Sequence, residues 1–402
     1  MGKAPHTPVR RRLVFYLPGY DPIHPRRYRE LYRKEGAEQA EIGGYDLALH
    51  PRRGKPGYGW LVATQFEGRQ TETEFEVLVW SDIVRAHMNP SIPATYAQLA
   101  RTAWAYVGSG ALWRLMRLRK GPTISALYPI VVLLAQLAVA LCVARLVGAG
   151  LALTGVPFLG WLGLLAVWPV LWWFRRHDGK VFAWYLMHDY AFSAIENGAY
   201  PAELEARLAV FADRLTEALR QPDIDEVLLV GHSSGAYLGV SVLADMLRAG
   251  RLPQETQLSF LSLGHVVPMV SFLPKAWRLR ADLALMGEGR IPWVDVTAPG
   301  DGCAFALCDP VAVSGVAPKP QNAPLIVSAA FSQTLSPERQ KMMQWRFFRR
   351  HFQYLCAFDK PGPYDYFRIT AGPESLAAHF AGRAHSPSRD ARPLNRHTST
   401  VP

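Results

Sequence analysis

Ser233 is the residue in this sequence best set up for chemistry. It stands in Gly231-His232-Ser233-Ser234-Gly235, a G-x-S-x-G pentapeptide. The apolar run Val227-Leu228-Leu229-Val230 precedes it, and residues 236–247 follow with apolar side chains at helical spacing. Strand, pentapeptide and helix together predict a sharp turn with the serine at its apex. Such a turn strains the backbone and leaves little room beside it, and flanking glycines supply that room. At the start of the helix the N–H of Ser234 would face a developing oxyanion. The bland reading, a tight turn with an incidental serine, accounts less well for both flanks. A serine hydroxyl is a poor nucleophile at neutral pH and needs a base, which in turn needs an orienting acid. His232 is adjacent and cannot easily reach the Ser233 oxygen, so it reads as structural.

The other candidates for chemistry are weaker. Cysteines lie at 142, 303, 308 and 356. Cys303 and Cys308 lack a second pair at zinc-finger spacing, so no metal site, cofactor or disulfide framework is indicated, and a reducing compartment fits.

Positioning these groups takes a chain of 402 residues, half of it hydrophobic and 19% charged, which suffices for a large core. The formal net charge is +11, with basic clusters at 10–12, 26–34, 114–120 and 175–176. No nucleic-acid motif accompanies them. Two clusters flank apolar runs, so an anionic membrane surface is the better partner. Residues 1–6 carry neither a secretory signal nor a myristoylation motif.

Strands are expected at 13–17, 45–49, 60–66 and 75–80, with 68–73 separating the last pair, and a charged helix at 25–41. Helices at 182–194 and 201–220 lead to the strand before Ser233. Further strands are expected at 257–263, 292–297 and 324–331. Strands alternating with helices argue for a largely parallel sheet covered on both faces. The Ser-, Pro- and Arg-rich tail, 382–402, reads as disordered.

Residues 121–144 and 146–174 contain no charged side chain. Each run exceeds the roughly 20 residues that cross a bilayer as a helix. Arg145 divides them, beside a possible turn at Val147-Gly148-Ala149-Gly150. Trp172 and Trp173 lie where an aromatic belt belongs, and basic residues at both outer ends place those ends on the cytoplasmic side. A membrane-inserted hairpin at 121–174 is therefore expected. The alternatives are a pair of buried cap helices or a hairpin that dips into one leaflet.

With these elements in place the chain resembles the α/β-hydrolase superfamily, over roughly residues 11–80 and 182–380. The resemblance implies the chain order Ser, then Asp or Glu, then His. It directs attention for the acid to the loop Ala298-Pro299-Gly300-Asp301-Gly302, with Asp301 favoured and Asp309 the runner-up. Asp295 lies within a strand and should point away. For the base it favours His351, beyond the final strand, over His379, His385 and His265. A second oxyanion donor is expected from Pro18-Gly19-Tyr20-Asp21, through the N–H of Tyr20. The first two strands of the usual eight are not evident before Leu13; either they are absent or the 45–66 hairpin lies elsewhere in the sheet.

The expected organisation is an α/β-hydrolase core formed by 1–120 and 175–381, interrupted by the 121–174 hairpin. The expected activity is that of a membrane-anchored serine hydrolase, facing the cytosol at the inner membrane, that cleaves an ester or thioester of a lipid or other acyl substrate. Ser233, His351 and Asp301 would form the triad. An acyltransferase with the same triad, or an inactive membrane-bound interaction protein, are the rivals.

Overall fold

The computed structural model describes residues 8–402 except 53, 55, 89, 253–256 and 345; the readings of residues 1–6 lie outside the described residues. The strands are β1 (Arg11–Leu17), β2 (Asp46–Pro51), β3 (Tyr58–Phe66), β4 (Arg69–Val77), β5 (Glu226–His232), β6 (Gln257–Leu263), β7 (Trp293–Thr297) and β8 (Leu325–Ser328). They form one sheet in the order β2-β3-β4-β1-β5-β6-β7-β8. β3 runs against both neighbours, while β4, β1, β5, β6, β7 and β8 are mutually parallel. The protein is therefore α/β with a mostly parallel sheet. The β2–β3 hairpin is in the sheet and forms its edge beside β4.

Period-two alternation sends successive side chains of the central strands to opposite faces, and both faces are apolar. Leu13, Phe15, Leu17, Val227 and Leu229 join one core cluster. Val14, Tyr16, Leu228 and Val230 join the other. Helices α1 (Arg26–Gly43), α2 (Ser81–His87), α3 (Ile92–Gly108), α4 (Ala111–Leu118), α5 (Lys120–Ala152), α6 (Val167–Arg176), α7 (Ala183–Ala194), α8 (Ala202–Leu219) and α9 (Ser234–Arg248) account for most of the helical residues before β6. Leu208 and Leu215 of α8 and Leu238 and Val242 of α9 cover the first face, and Tyr28 and Tyr32 of α1 the second.

Two boundaries differ from expectation in instructive ways. β4 begins at Arg69, and the reversal before it is made by Glu67 and Gly68, both at positive φ. The expected separator 68–73 is strand because Thr71 and Thr73 alternate inward while Glu72 and Glu74 face out, a pattern that polar composition hides. The tail 382–402, expected to be disordered, lies along the body as a strap. Ser386 N–H donates to Ile326 O at 2.8 Å, Asp309 N–H to Asp390 O at 2.8 Å and Asn395 Nδ2 to Ser271 O at 2.9 Å. Several of its backbone and side-chain polar groups pair with the body, which is what orders a segment of such composition.

The apolar insert forms a helical hairpin with a shifted turn. α5 continues through Arg145 to Ala152, and the chain reverses at 153–158 instead of at 145–150. The second leg is broken into a 3₁₀ segment, Leu159–Ala166, followed by α6. Glycines in this stretch serve the contact between the legs and not a turn. A Cβ on Gly163 would meet Ala144 O at 2.3 Å, and one on Gly148 would meet Gly160 O at 2.5 Å. They let the two legs touch backbone to backbone, as small residues do between membrane helices. Among the described residues α5 is the helix long and apolar enough to cross a membrane, with a mean hydropathy of 2.6 in its best window.

Candidate active site

Ser233 sits at the end of β5 with φ 58° and ψ −120°, a conformation that costs a non-glycine residue about 1–3 kcal/mol. The neighbours enforce it. A Cβ on Gly235 would lie 2.0 Å from Leu17 O, and one on Gly231 would lie 2.5 Å from Gly235 O. Ser233 N–H donates to Leu263 O at 2.9 Å, tying the apex to the adjacent strand. The next residue opens α9, so the positive end of that helix lies at the serine.

The loop after β1 presses against this apex from the other side. A Cβ on Gly19 would stand 2.9 Å from Ser233 Cβ and 3.3 Å from its Oγ, so this position has room for glycine alone. The loop is held at two carbonyls and a carboxylate. Trp80 Nε1 donates to Pro18 O at 3.0 Å, and the Tyr185 hydroxyl donates to Tyr20 O. Asp21 accepts from the Tyr28 hydroxyl at 2.5 Å and from Arg27 at 2.8 Å. Among the described residues, neither the Tyr20 N–H nor the Ser234 N–H has a hydrogen-bond partner.

Asp301 lies in the loop after β7, with no solvent access to its side chain. Its Oδ2 accepts from His351 Nδ1 at 2.7 Å and from the Tyr354 hydroxyl at 3.0 Å, and its Oδ1 accepts from Cys303 N–H at 2.9 Å. Burial alone would raise the Asp301 pKa, but the charge and hydrogen bond of His351, the Cys303 N–H and the Tyr354 hydroxyl outweigh it, and the carboxyl falls below its ordinary value of 3.8. It is ionised at neutral pH.

His351 ends the short helix Phe347–His351. With Nδ1 bound to Asp301, its Nε2 is buried and unpaired. The Ser233 hydroxyl likewise makes no hydrogen bond among the described residues, so the Nε2-to-Oγ bond that a triad requires is not formed. The His351 ring packs on His232, with centroids 4.8 Å apart, and approaches Gly264, where a Cβ would lie 3.2 Å from His351 Cε1. Gly264 directly follows Leu263, the residue that receives the Ser233 N–H.

Two further residues build the site. His232 Nε2 donates to His351 O at 3.0 Å, so the elbow histidine fixes the backbone of the other histidine. Burial first, and the neighbouring His351 second, lower the His232 pKa to about 3, so it stays neutral. Tyr354, three residues beyond His351, bonds Asp301 while its oxygen accepts from Ala298 N–H at 3.0 Å, pinning both ends of the acid loop. Sequence reasoning missed it; the faint signal is a tyrosine one turn from the histidine. Asp189, half-buried on α7, is also unforeseen. Burial raises its pKa to about 7, and its charge interacts with that of His351.

The rejected alternatives are engaged elsewhere. Asp309 caps the helix Pro310–Val313 and pairs with Arg389 at 2.5 Å. Asp295 accepts from Ser262 at 2.6 Å in the core, and His265 donates from Nε2 to Cys308 O at 3.0 Å. His379 pairs with Glu374, and His385 accepts from Ile326 N–H at 3.1 Å. Asp301, Cys303 and His351 bring donor atoms within 4.8 Å of one another and are the residues here that could hold a metal ion. Two of the three already bond each other, and burial, then Asp301 and Asp189, push the Cys303 thiol up, away from the thiolate a metal prefers.

No protein-family model, no curated protein and no solved structure matches the chain.

Proposed function

We propose that this protein is a serine hydrolase of the α/β-hydrolase type, held at the cytoplasmic face of a membrane, that cleaves an ester or thioester of a lipid or other acyl substrate. The observation that carries the reading is the strained Ser233 apex, wedged between Gly19 and α9, beside a buried Asp301–His351 pair whose second ring nitrogen is unpaired.

The chemistry follows from those atoms. His351 Nε2 takes the Ser233 hydroxyl proton as Oγ attacks the acyl carbon. The new oxyanion is stabilised by the N–H groups of Tyr20 and Ser234 and by the α9 dipole. Asp301 holds the Nδ1 proton and stabilises the imidazolium, Tyr354 steadies Asp301, and His232 steadies the backbone of His351. His351 returns its proton to the leaving alcohol or thiol. Water then attacks the acyl-enzyme, with His351 again as base, and releases the acid. The sheet order, with the serine strand at its centre and the acid loop two strands away, supports the same reading.

A fluorophosphonate probe tests it, since such probes label activated serines. Labelling of Ser233, lost in Ser233→Ala, is the expected result; an unlabelled wild-type protein with an intact fold overturns the reading.

A further inference from the structure

The hairpin changes character along its length. From Lys120 to Ala140, α5 buries a continuous stripe that includes Pro129, Leu133, Gln136 and Ala140. Ser125 donates to Gly302 O at 3.0 Å, and Gln136 accepts from Trp184 at 3.0 Å. Leu133 and Ala140 share an apolar cluster with Leu171 of α6 and with Trp184 and Met187 of α7. Beyond Ala140 the body ends. Residues 141–165 are exposed on every side except where the two legs meet at Ala144, Gly148 and Gly163. A helix pair that is apolar all round has no stable place in water.

The turn has the same character. Leu153 is 89% exposed and Phe158 is 83% exposed, and no charged residue stands between Leu146 and Phe174. A loop that emerged into water on the far side of a bilayer would not be built this way. Leu141–Ala152 rises about 18 Å at 1.5 Å per residue, short of a hydrocarbon core of about 30 Å. Trp168, Trp172 and Trp173 are exposed on α6 at the level where it rejoins the body, and Arg175 and Arg176 follow at once. Aromatic residues at the headgroup level backed by cations suit an anionic leaflet. Arg145, exposed about one turn past Ala140, lies close enough to that level to snorkel back.

We propose that residues 141–165 form a wedge that enters a single leaflet of an anionic bilayer, with the turn at 153–158 ending near the midplane. This rests on the proposed membrane location and fixes its topology: both legs enter from one face and nothing crosses.

The test uses the full chain, with its four cysteines replaced by serine, carrying one cysteine at position 156 or at 180. Each protein is added to sealed phosphatidylcholine–phosphatidylglycerol vesicles and treated with a membrane-impermeant maleimide, outside or entrapped. The Lys180→Cys protein should react from outside, and the Val156→Cys protein from neither side until detergent is added. Reaction of position 156 with entrapped reagent means that the hairpin spans, and overturns the single-leaflet wedge while leaving membrane anchoring intact. Reaction with external reagent, or failure of the protein to float with vesicles, overturns anchoring as well. As a check that keeps all native cysteines, the Leu153→Asp/Phe158→Asp protein should lose vesicle binding about tenfold or more. Its circular dichroism and thermal unfolding should stay unchanged. Retained binding overturns the wedge.

Discussion

The site and the outer hairpin are opposite answers to the same problem of burying groups away from water. Around Ser233 the body encloses polar atoms and pairs many of them: Asp301 accepts three hydrogen bonds, and His232, Tyr354 and Trp80 each tie down a neighbouring segment. Within the site the exceptions are His351 Nε2 and the N–H groups of Tyr20 and Ser234; other buried side-chain atoms without a partner, Ser259 Oγ and His265 Nδ1 among them, lie elsewhere in the body. Past Ala140 there is almost nothing polar to pair, and the apolar side chains face outward. An unpaired buried donor or acceptor is costly, and at His351 Nε2 it leaves a nitrogen free to bond a reacting group. An uncovered apolar surface of this size marks a place for another phase.

That contrast is broken most sharply at the proposed nucleophile. Ser233→Ala should lower turnover of a soluble ester by about 10⁴ or more, with vesicle binding and thermal unfolding unchanged. Residual probe labelling on Ser234 or Ser241 in that variant would assign the chemistry to another serine. Asp301→Asn should cost about 10⁴ in kcat and His351→Ala about 10⁶. Turnover that instead falls on adding a chelator would move Asp301, Cys303 and His351 from a relay to a metal site.

Next in size is Gly19→Ala. The added methyl would meet Ser233 Cβ at 2.9 Å and must push the Tyr20 N–H away from the reacting centre. A loss of about 10²-fold in kcat with little change in KM is expected, the signature of a lost oxyanion donor. A change confined to KM would show that the loop shapes substrate binding.

The parts of the molecule that were legible in the sequence are those whose signals are local. The Ser233 turn could be read because glycines, a strand pattern and a helix pattern lie within about twenty residues, and the parallel sheet could be read from alternating apolar segments. Asp301 and His351 needed the chain order of a resembling superfamily, because a hydrogen bond across fifty residues leaves no periodic trace. Tyr354 was invisible for the same reason. The tail failed differently: its Ser, Pro and Arg composition describes a segment that cannot fold alone, yet Arg389, Asn395 and Ser399 bond to the body. In the hairpin, Arg145 and three nearby small residues suggested a turn, whereas Gly148 is small because another backbone passes against it.

A smaller effect comes from the buried histidines as pH falls. His232 has a folded pKa of about 3 against an ordinary value of 6.5. Between those values the unfolded chain binds a proton that the folded one refuses, so this contribution to stability is complete above pH 6.5 and lost as pH falls towards 3. His188 and His265, each lowered to about 4 chiefly by burial, act in the same sense. The melting temperature should therefore drop on acidification below pH 6.5. His232→Phe should flatten that slope without abolishing it, since two buried histidines remain. An unchanged slope would mean that His232 is protonated in the folded protein, and its role as donor to His351 O would need another source of order.

The smallest expected effect on turnover comes from the other region, and for that reason it tests the contrast as a whole. Removing all of 121–174 would strip Leu133, Gln136 and Ala140 from their contacts with α7, and would delete Ser125, which bonds the loop that carries Asp301. That larger deletion would damage the site through the body. Removing 141–166 alone is different. Ala140 and Val167 belong to the same apolar cluster, so a short Gly-Ser linker can join them without disturbing either helix. The cut region touches the body nowhere else that bears on Ser233, and effects of well-separated changes are close to independent. Turnover of a soluble short-chain ester should stay within about twofold of the parent, while the protein no longer pellets with membranes. A large loss of turnover in a folded, soluble protein would show that the wedge reaches the site through α5, by way of Ser125 and Gly302, and that anchoring and chemistry are one device in this chain.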